Sequence, residues 1–138
     1  MAKNQADLTR WALRKSTQYL ESAQINLEAN RLYPAAEEVF RSTENSLEAM
    51  LYAKGIRIIE YPGTRGKYTG RLALQFLVRD NLVQTGAITR ETYERYMDMA
   101  TQLHRAGYQP HTVFNPETIT QHAKLAEELL AQATSMSK

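Results

Sequence analysis

The distribution of helix-breaking residues is the feature of this sequence that most constrains its fold. The chain contains ten glycines and prolines, and eight of them fall in two short stretches, 55–70 and 107–116. Glycine and proline interrupt regular structure, so the rest of the chain is left in long uninterrupted segments. These segments are 5–33, 35–54, 70–85, 89–106 and 116–134.

Each of the five segments carries the period of an amphipathic helix, because its apolar residues recur at spacings of three and four. Thr89 and Asn115 stand at the start of two segments as N-caps, and Pro116 suits a first helical position. Gly55 is a natural stop for the second segment. No segment shows the alternation and turns of a hairpin. The sequence therefore predicts an all-α fold, a four- to five-helix up-and-down bundle in one domain with its core at about 8–133.

Three helical regions carry more specific expectations. The run 72–78 is apolar nearly all round, which predicts a buried helix. Thr43 and Ser46 lie on or beside the apolar stripe of the second helix, where they either line a cleft towards the fourth helix or make a helix–helix contact. His104 continues the apolar stripe of the fourth helix, which favours a core or interface histidine.

Composition limits both the location and the chemistry of the protein. The chain has no cysteine, which excludes disulfides, thiolate metal sites and cysteine nucleophiles. It has no apolar run approaching the roughly 18 residues that cross a bilayer, and its first residues mix charged and polar side chains. These features predict a cytoplasmic protein with no membrane partner.

The spacing of residues argues against nucleotide-cleaving loops and metal sites. Residues 63–70 resemble a phosphate-binding loop, but only two residues separate Gly63 from Gly66, and Tyr68 stands where Ser or Thr is required. The three histidines, at 104, 111 and 122, include no pair at the four-residue spacing of a helical zinc site. We therefore expect no metal and no cofactor.

Positive charge is concentrated between residues 54 and 79. This window holds six basic residues and one acid, whereas the whole chain has a net charge of only +2. Its basic groups suit phosphates and its tyrosines suit stacking on unpaired bases, although a solvated loop is the plainer interpretation. With one histidine of the fourth helix, the candidate RNA- or nucleotide-binding residues are Arg57, Arg65, Lys67, Tyr68, Arg71 and His104.

Arg105 and His111 form the candidate catalytic pair, separated by five residues. A histidine near neutral pKa can accept the proton of a ribose 2′-hydroxyl, and an arginine fork can stabilise charge on the phosphate. Such a reaction needs no metal and leaves a 2′,3′-cyclic phosphate. The alternative is that Arg105 is a surface cation near a helix C-terminus and His111 a loop residue.

The runs Tyr33–Glu38 and Leu47–Gly55 resemble the second helix of HEPN domains, and residues 8–133 resemble a small stand-alone prokaryotic branch of that family. The resemblance implies homodimers of four- or five-helix bundles, many of them metal-independent endoribonucleases. It also implies toxins paired with an antitoxin of nucleotidyltransferase type. The family motif is an arginine, four to six residues and a histidine, which Arg105 and His111 match.

Two functions follow from these observations. The first is a homodimeric endoribonuclease of toxin–antitoxin type that cleaves single-stranded RNA by attack of the 2′-hydroxyl. The alternative is a non-catalytic helical module that binds a nucleotide or a partner protein. Ala106 follows the arginine where active members often have a polar residue, and no tyrosine stands two residues after His111, which keeps the alternative open. The wide apolar stripes independently predict a homodimer.

Overall fold

The computed structural model of the chain describes residues 4–138, which form five α-helices and one β-hairpin. A single π-helical turn, Arg79–Val83, continues the third helix. This architecture confirms the predicted all-α bundle and adds a small two-stranded sheet to it. In chain order the elements are α1 (Gln5–Glu28), α2 (Leu32–Ala53), β1 (Glu60–Gly63), β2 (Gly66–Thr69), α3 (Gly70–Val78), α4 (Arg90–Tyr108) and α5 (Pro116–Met136).

The helix ends lie where local chemistry predicts them. The Thr89 side chain accepts a hydrogen bond from the backbone N–H of Thr92, and the Asn115 side chain accepts one from Glu117. Gly55 follows the end of α2 with φ of 95°, a left-handed conformation in which its N–H bonds back to the last turn of the helix. The two predicted N-caps and the predicted stop are therefore confirmed.

Helices α1 and α2 form an antiparallel pair joined by a three-residue connection. The pair is held by a buried group of serines in which Ser16 Oγ contacts Ser46 Oγ at 2.7 Å and donates to the Ser42 carbonyl at 2.9 Å. These small side chains satisfy one another's hydrogen bonds, as buried polar groups must. Thr43 points the other way and donates to the Val39 carbonyl beside Met99 of α4. Ser46 and Thr43 thus make helix–helix contacts.

Helix α2 is the centre of the bundle, since it contacts each of the other four helices. Helix α5 packs on both α1 and α2, and α4 packs on α2 and α5. The core is built mainly from α2 and α5. Its fully buried large side chains include Val39, Leu47, Met50, Leu51, Val78, Leu82, Tyr96, Ile119, Leu125 and Leu129.

The β-hairpin is an element that the sequence pattern did not predict. Its strands pair antiparallel with Tyr61 opposite Tyr68, and Gly63 and Gly66 enclose a two-residue turn. Both tyrosines pack on Phe76 of α3, with ring centroids 5.0 and 5.7 Å apart. The expectation of a loop was wrong because each strand has only four residues, too few for a clear alternation.

Two helix faces differ from their predicted orientation. The third helix is helical as predicted, but only Ala73, Leu74 and Val78 are buried in it, while Leu72 is 44% exposed. In α4 the buried side chains are Tyr96 and Met99. The predicted stripe of α4 lies beside them and is only half-buried, so His104 at its end is exposed and is not a core residue.

The five helices of residues 4–138 are amphipathic or short. None of them combines the length and the apolarity that a helix needs to cross a bilayer.

Candidate functional site

An open cleft of about 760 Å³ lies between α2, α3 and the C-terminal half of α4. Each helix contributes one face at helical spacing: Tyr33, Glu37 and Phe40 come from α2, for example. Gln75 of α3 and His104 of α4 add polar groups from the other walls. The remaining lining residues are Arg71, Leu72, Met97, Ala100, Thr101, Leu103, Ala106, Gly107, Tyr108 and Phe114.

Aromatic rings form much of the cleft wall. Tyr33 meets Phe114 edge-on with ring centroids 5.3 Å apart, and the ring of His104 lies 4.7 Å from that of Tyr108. Tyr108 is 77% exposed, so its ring is available for a ligand to stack on. Concave sites with aromatic walls and a few polar groups are the usual form of a small-molecule or nucleobase site.

Arg71 is the cation of the cleft, and two carboxylates of α2 hold it in place. Its Nε donates to both oxygens of Glu44 at 3.1 Å, and its Nη2 donates to Glu37 Oε1 at 3.0 Å. Arg41 donates to the same Glu37 oxygen at 3.0 Å. The Arg71 guanidinium also lies 4.9 Å from the centre of the Phe40 ring. The side chain is therefore fixed in orientation while it stays half exposed.

The two carboxylates of this cluster have opposite pKa shifts. Burial raises the pKa of Glu44 to about 7, although Arg71 acts in the other direction. Partial burial also disfavours the charged form of Glu37, but hydrogen bonds from Arg71 and Arg41 outweigh it, so that its pKa is lowered. Glu37 is therefore a fixed anion on the cleft wall at neutral pH, whereas Glu44 titrates there.

Behind the cluster, Tyr96 is fully buried against Phe40, and its hydroxyl has no hydrogen-bond partner within residues 4–138. Burial raises the pKa of Tyr96 well above its ordinary value, and the charge of Glu44 acts in the same direction. The hydroxyl thus stays neutral. A hydroxyl can reorient and donate a hydrogen bond, so it tolerates a nearby negative charge better than an apolar group would.

The hairpin leads directly into α3, but Arg57, Arg65 and Lys67 are not among the residues that line the cleft. Strand β2 ends at Thr69, and α3 with Arg71 starts at the next residue. Arg57 and Arg65 are exposed, and Lys67 is exposed while pairing with Glu60 at 3.2 Å. Tyr68 is half-buried because its ring packs on Phe76, so it offers only part of its surface.

The predicted catalytic pair lies at and just beyond the C-terminal end of α4. Arg105 is exposed in the last turn of the helix, and His111 is exposed in the connection that follows. Neither side chain makes a hydrogen bond or ion pair with another residue of the described chain, 4–138. The connection itself is fixed, because the Tyr33 hydroxyl donates to the Thr112 carbonyl at 2.8 Å.

Within residues 4–138, no three histidine, aspartate or glutamate side chains converge closely enough to hold an ion.

Sequence reasoning placed Arg71 and His104 in a binding site but missed Glu37, Gln75 and Tyr108. A signal for them exists in the helical periods. Tyr33, Glu37 and Phe40 fall at i, i+4 and i+7 of α2, and His104 and Tyr108 at i and i+4 of α4. What the periods do not reveal is that these two faces meet.

The model of the archaeal PaREP1/PaREP8 family matches residues 12–132, which is most of the chain and spans all three helices of the cleft. The chain belongs to this family. The match begins within α1 and ends within α5, so it covers the bundle as a whole. No curated protein matches the chain significantly.

Proposed function

We propose that this protein binds single-stranded RNA or a nucleotide in the cleft between α2, α3 and α4. The observation that carries the proposal is the combination of exposed aromatic rings with fixed polar groups in one open site. Tyr108 offers a stacking surface, while Glu37 and Gln75 offer hydrogen bonds to a base edge. Single-stranded RNA is recognised in this way, by stacking and by contacts to unpaired base edges.

We expect the sugar–phosphate backbone to follow the exposed cations of the hairpin region outside the cleft. Arg71 already donates hydrogen bonds to Glu37 and Glu44, so it has fewer free donors for a phosphate. The exposed cations Arg57 and Arg65 of the hairpin region have no such partners within the described residues. Bases would thus enter the cleft and phosphates would follow the hairpin, because phosphate contacts position a strand and base contacts specify it.

Fluorescence anisotropy with a labelled single-stranded RNA tests this function. Replacing Tyr108 by Ala removes a stacking ring and should weaken binding about 5- to 150-fold, since stacking contributes roughly 1–3 kcal/mol per base. The matched control is Trp11→Ala, because Trp11 is a partly exposed aromatic of α1, which contributes no residue to the cleft lining. Equal affinity of wild type and Tyr108→Ala, or no binding by wild type, would refute the proposal.

Endoribonuclease activity is the second candidate, and it is the one that the HEPN resemblance implies. One observation favours it. Arg105 lies between the cleft residues His104 and Ala106 in the sequence, and His111 lies in the connection after α4. Both side chains are exposed and make no hydrogen bond or ion pair within residues 4–138. A general base must come within hydrogen-bond reach of the proton that it removes, and an exposed side chain is open to a bound substrate. A homodimer would bring a second copy of this pair to the site, and an antitoxin-type partner stays a prediction.

Cleavage is measured with single-stranded RNA in excess EDTA, with analysis of the product ends. His111→Ala should lower the rate roughly 10²- to 10⁴-fold by removing proton transfer. The control is His122→Ala, which changes a histidine of α5 that lines a different groove. Intact RNA after incubation with wild type would eliminate the enzyme and leave the binding function standing. Full activity of His111→Ala would show that His111 is not the general base, and His104 would be the next candidate.

The homodimer is tested by light scattering across micromolar concentrations. We expect a mass of twice the 15.8 kDa monomer. A monomeric mass throughout would remove the support that a two-subunit site gives to the endoribonuclease.

A further inference from the structure

We infer that the cleft selects guanine over the other bases, and that the Glu37 carboxylate, held beside Arg71, makes the selection. This inference rests on the proposed binding of RNA or a nucleotide and adds the identity of the base. The reason lies in which hydrogen-bonding positions of the Glu37–Arg71 pair are already used and which are open.

Glu37 keeps one oxygen open. Its Oε1 accepts from both Arg41 and Arg71 at 3.0 Å, which uses the two lone pairs of that oxygen. Its Oε2 accepts no hydrogen bond within residues 4–138, although the side chain lines the cleft and is partly exposed. Because the two arginines keep this carboxylate ionised, Oε2 offers two acceptor positions and no donor.

Guanine alone among the RNA bases presents two adjacent N–H donors on its Watson–Crick edge, at N1 and N2. Adenine and cytosine place a ring-nitrogen acceptor next to their amino group, and uracil has an acceptor on each side of its N3–H. An anionic oxygen with two open lone pairs can therefore accept two hydrogen bonds from guanine. From each of the other bases it accepts from one donor group, and the neighbouring position on the base is an acceptor. Leaving such a position unmatched costs affinity, which is how a polar site rejects an analogue.

Arg71 supplies the complementary donor. Its Nε and Nη2 are engaged by Glu44 and Glu37, and Nη1 makes no hydrogen bond within the described residues. Guanine carries the O6 acceptor immediately beside N1–H. Glu37 and Arg71 are joined through Oε1 and Nη2, and both line the cleft. The pair therefore has an acceptor for N1–H and N2–H in Oε2 and a donor for O6 in Nη1, which is the pattern that the guanine edge requires.

The inference is tested first on the unmodified protein by titration with four mononucleotides, namely 5′-GMP, 5′-IMP, 5′-AMP and 5′-UMP, followed by calorimetry or NMR. We expect 5′-GMP to bind about tenfold more tightly than 5′-AMP and 5′-UMP. 5′-IMP lacks only the N2 amino group and should fall between them. Equal affinities for 5′-GMP and 5′-IMP would overturn the assignment of N2 to Glu37.

Variants then identify the residue responsible. In Glu37→Gln the two arginines hold the amide oxygen, which leaves an NH₂ donor facing the ligand in place of Oε2, so the preference for 5′-GMP should disappear. Glu38→Gln is the matched control, because Glu38 is the neighbouring carboxylate, bonds Asn26 of α1 and lies outside the cleft lining. It should keep the preference. A preference that survives Glu37→Gln would refute the inference.

The outcomes separate this inference from the proposed function. If all four nucleotides bind equally and Tyr108→Ala weakens each of them, nucleotide binding stands and guanine selection is wrong. If none of them binds and labelled RNA does not bind either, both fall. A thermal melt of each variant shows whether a loss of binding reflects a loss of fold.

Discussion

The interface between α1 and α2 and the cleft between α2, α3 and α4 use the same central helix in opposite ways. At the centre of its contact with α1, helix α2 presents the small buried side chains of Ser42 and Ser46, which are hydrogen-bonded to Ser16. Towards the cleft, its polar groups are long and charged, and Glu37 keeps an oxygen open. The same helix therefore closes one surface and presents another.

This difference teaches where stability and recognition reside in the bundle. A closed interface gains from burial and satisfied hydrogen bonds, so changes there should alter the free energy of unfolding. An open cleft keeps unpaired groups for a ligand, so changes there should alter affinity and leave the fold nearly intact. Each measurement below can break or sharpen that separation.

The largest effect is expected from Leu47→Ala on α2. Leu47 is completely buried, so its truncation leaves a cavity and should lower the free energy of unfolding by about 2–5 kcal/mol in urea denaturation. Leu72→Ala is the matched change in the cleft, where the side chain is 44% exposed. It should cost less than about 1 kcal/mol and weaken RNA binding instead. Equal destabilisation by the two variants would remove the distinction.

The second effect is a pH dependence that comes from Glu44. Since its pKa is raised from 4.5 to about 7, the folded protein keeps a proton that the unfolded chain has lost. The free energy of unfolding should thus fall as pH rises from about 4.5 through 7. Glu44→Gln should reduce that fall by on the order of 1–3 kcal/mol, measured by urea denaturation at pH 5 and pH 8.

The control for this pH effect is Glu21→Gln, which changes an exposed carboxylate of α1 and should leave the pH dependence unaltered. Some dependence should persist in Glu44→Gln, because burial also raises the pKa of Glu48. A variant with the same slope as wild type would show that Glu44 is ionised in the folded protein across this range.

A smaller effect is expected at Asn115, where the connection that borders the cleft joins α5. Its side chain caps the helix, so Asn115→Ala should cost about 1 kcal/mol in the free energy of unfolding. Asn115→Asp keeps the capping oxygen and should remain close to wild type, as thermal and urea denaturation can compare. If both variants lowered the free energy of unfolding equally, the amide group of Asn115 would act through the connection and not through the helix cap.

The smallest effect on stability is expected on the hairpin. Arg65→Ala with Lys67→Ala should change the free energy of unfolding by less than about 0.5 kcal/mol, because both side chains are exposed. If the two residues contact phosphates, the slope of log affinity for RNA against log salt should nevertheless become less steep by about one for each. An unchanged slope would show that the hairpin is a solvated surface that does not contact phosphates.

Much of the fold was predictable because its signals are local. Thr89, Asn115 with Pro116, and Gly55 each act on backbone groups within about four residues, so the helix ends follow from the adjacent sequence. The amphipathic period likewise predicted the number of helices. The hairpin escaped prediction because its strands are short, and its stability depends on Phe76 of α3.

The candidate site was less predictable because its residues come from separate helices. The sequence alone placed Arg71 and His104 among basic or polar candidates and set the class of the fold. Only the tertiary structure decided that His104 faces a cleft, that Arg71 meets Glu37 and Glu44, and that burial raises the pKa of Glu44. Local hydrogen bonds fix where each helix begins and ends, whereas burial and charge pairing depend on which faces pack together across the chain.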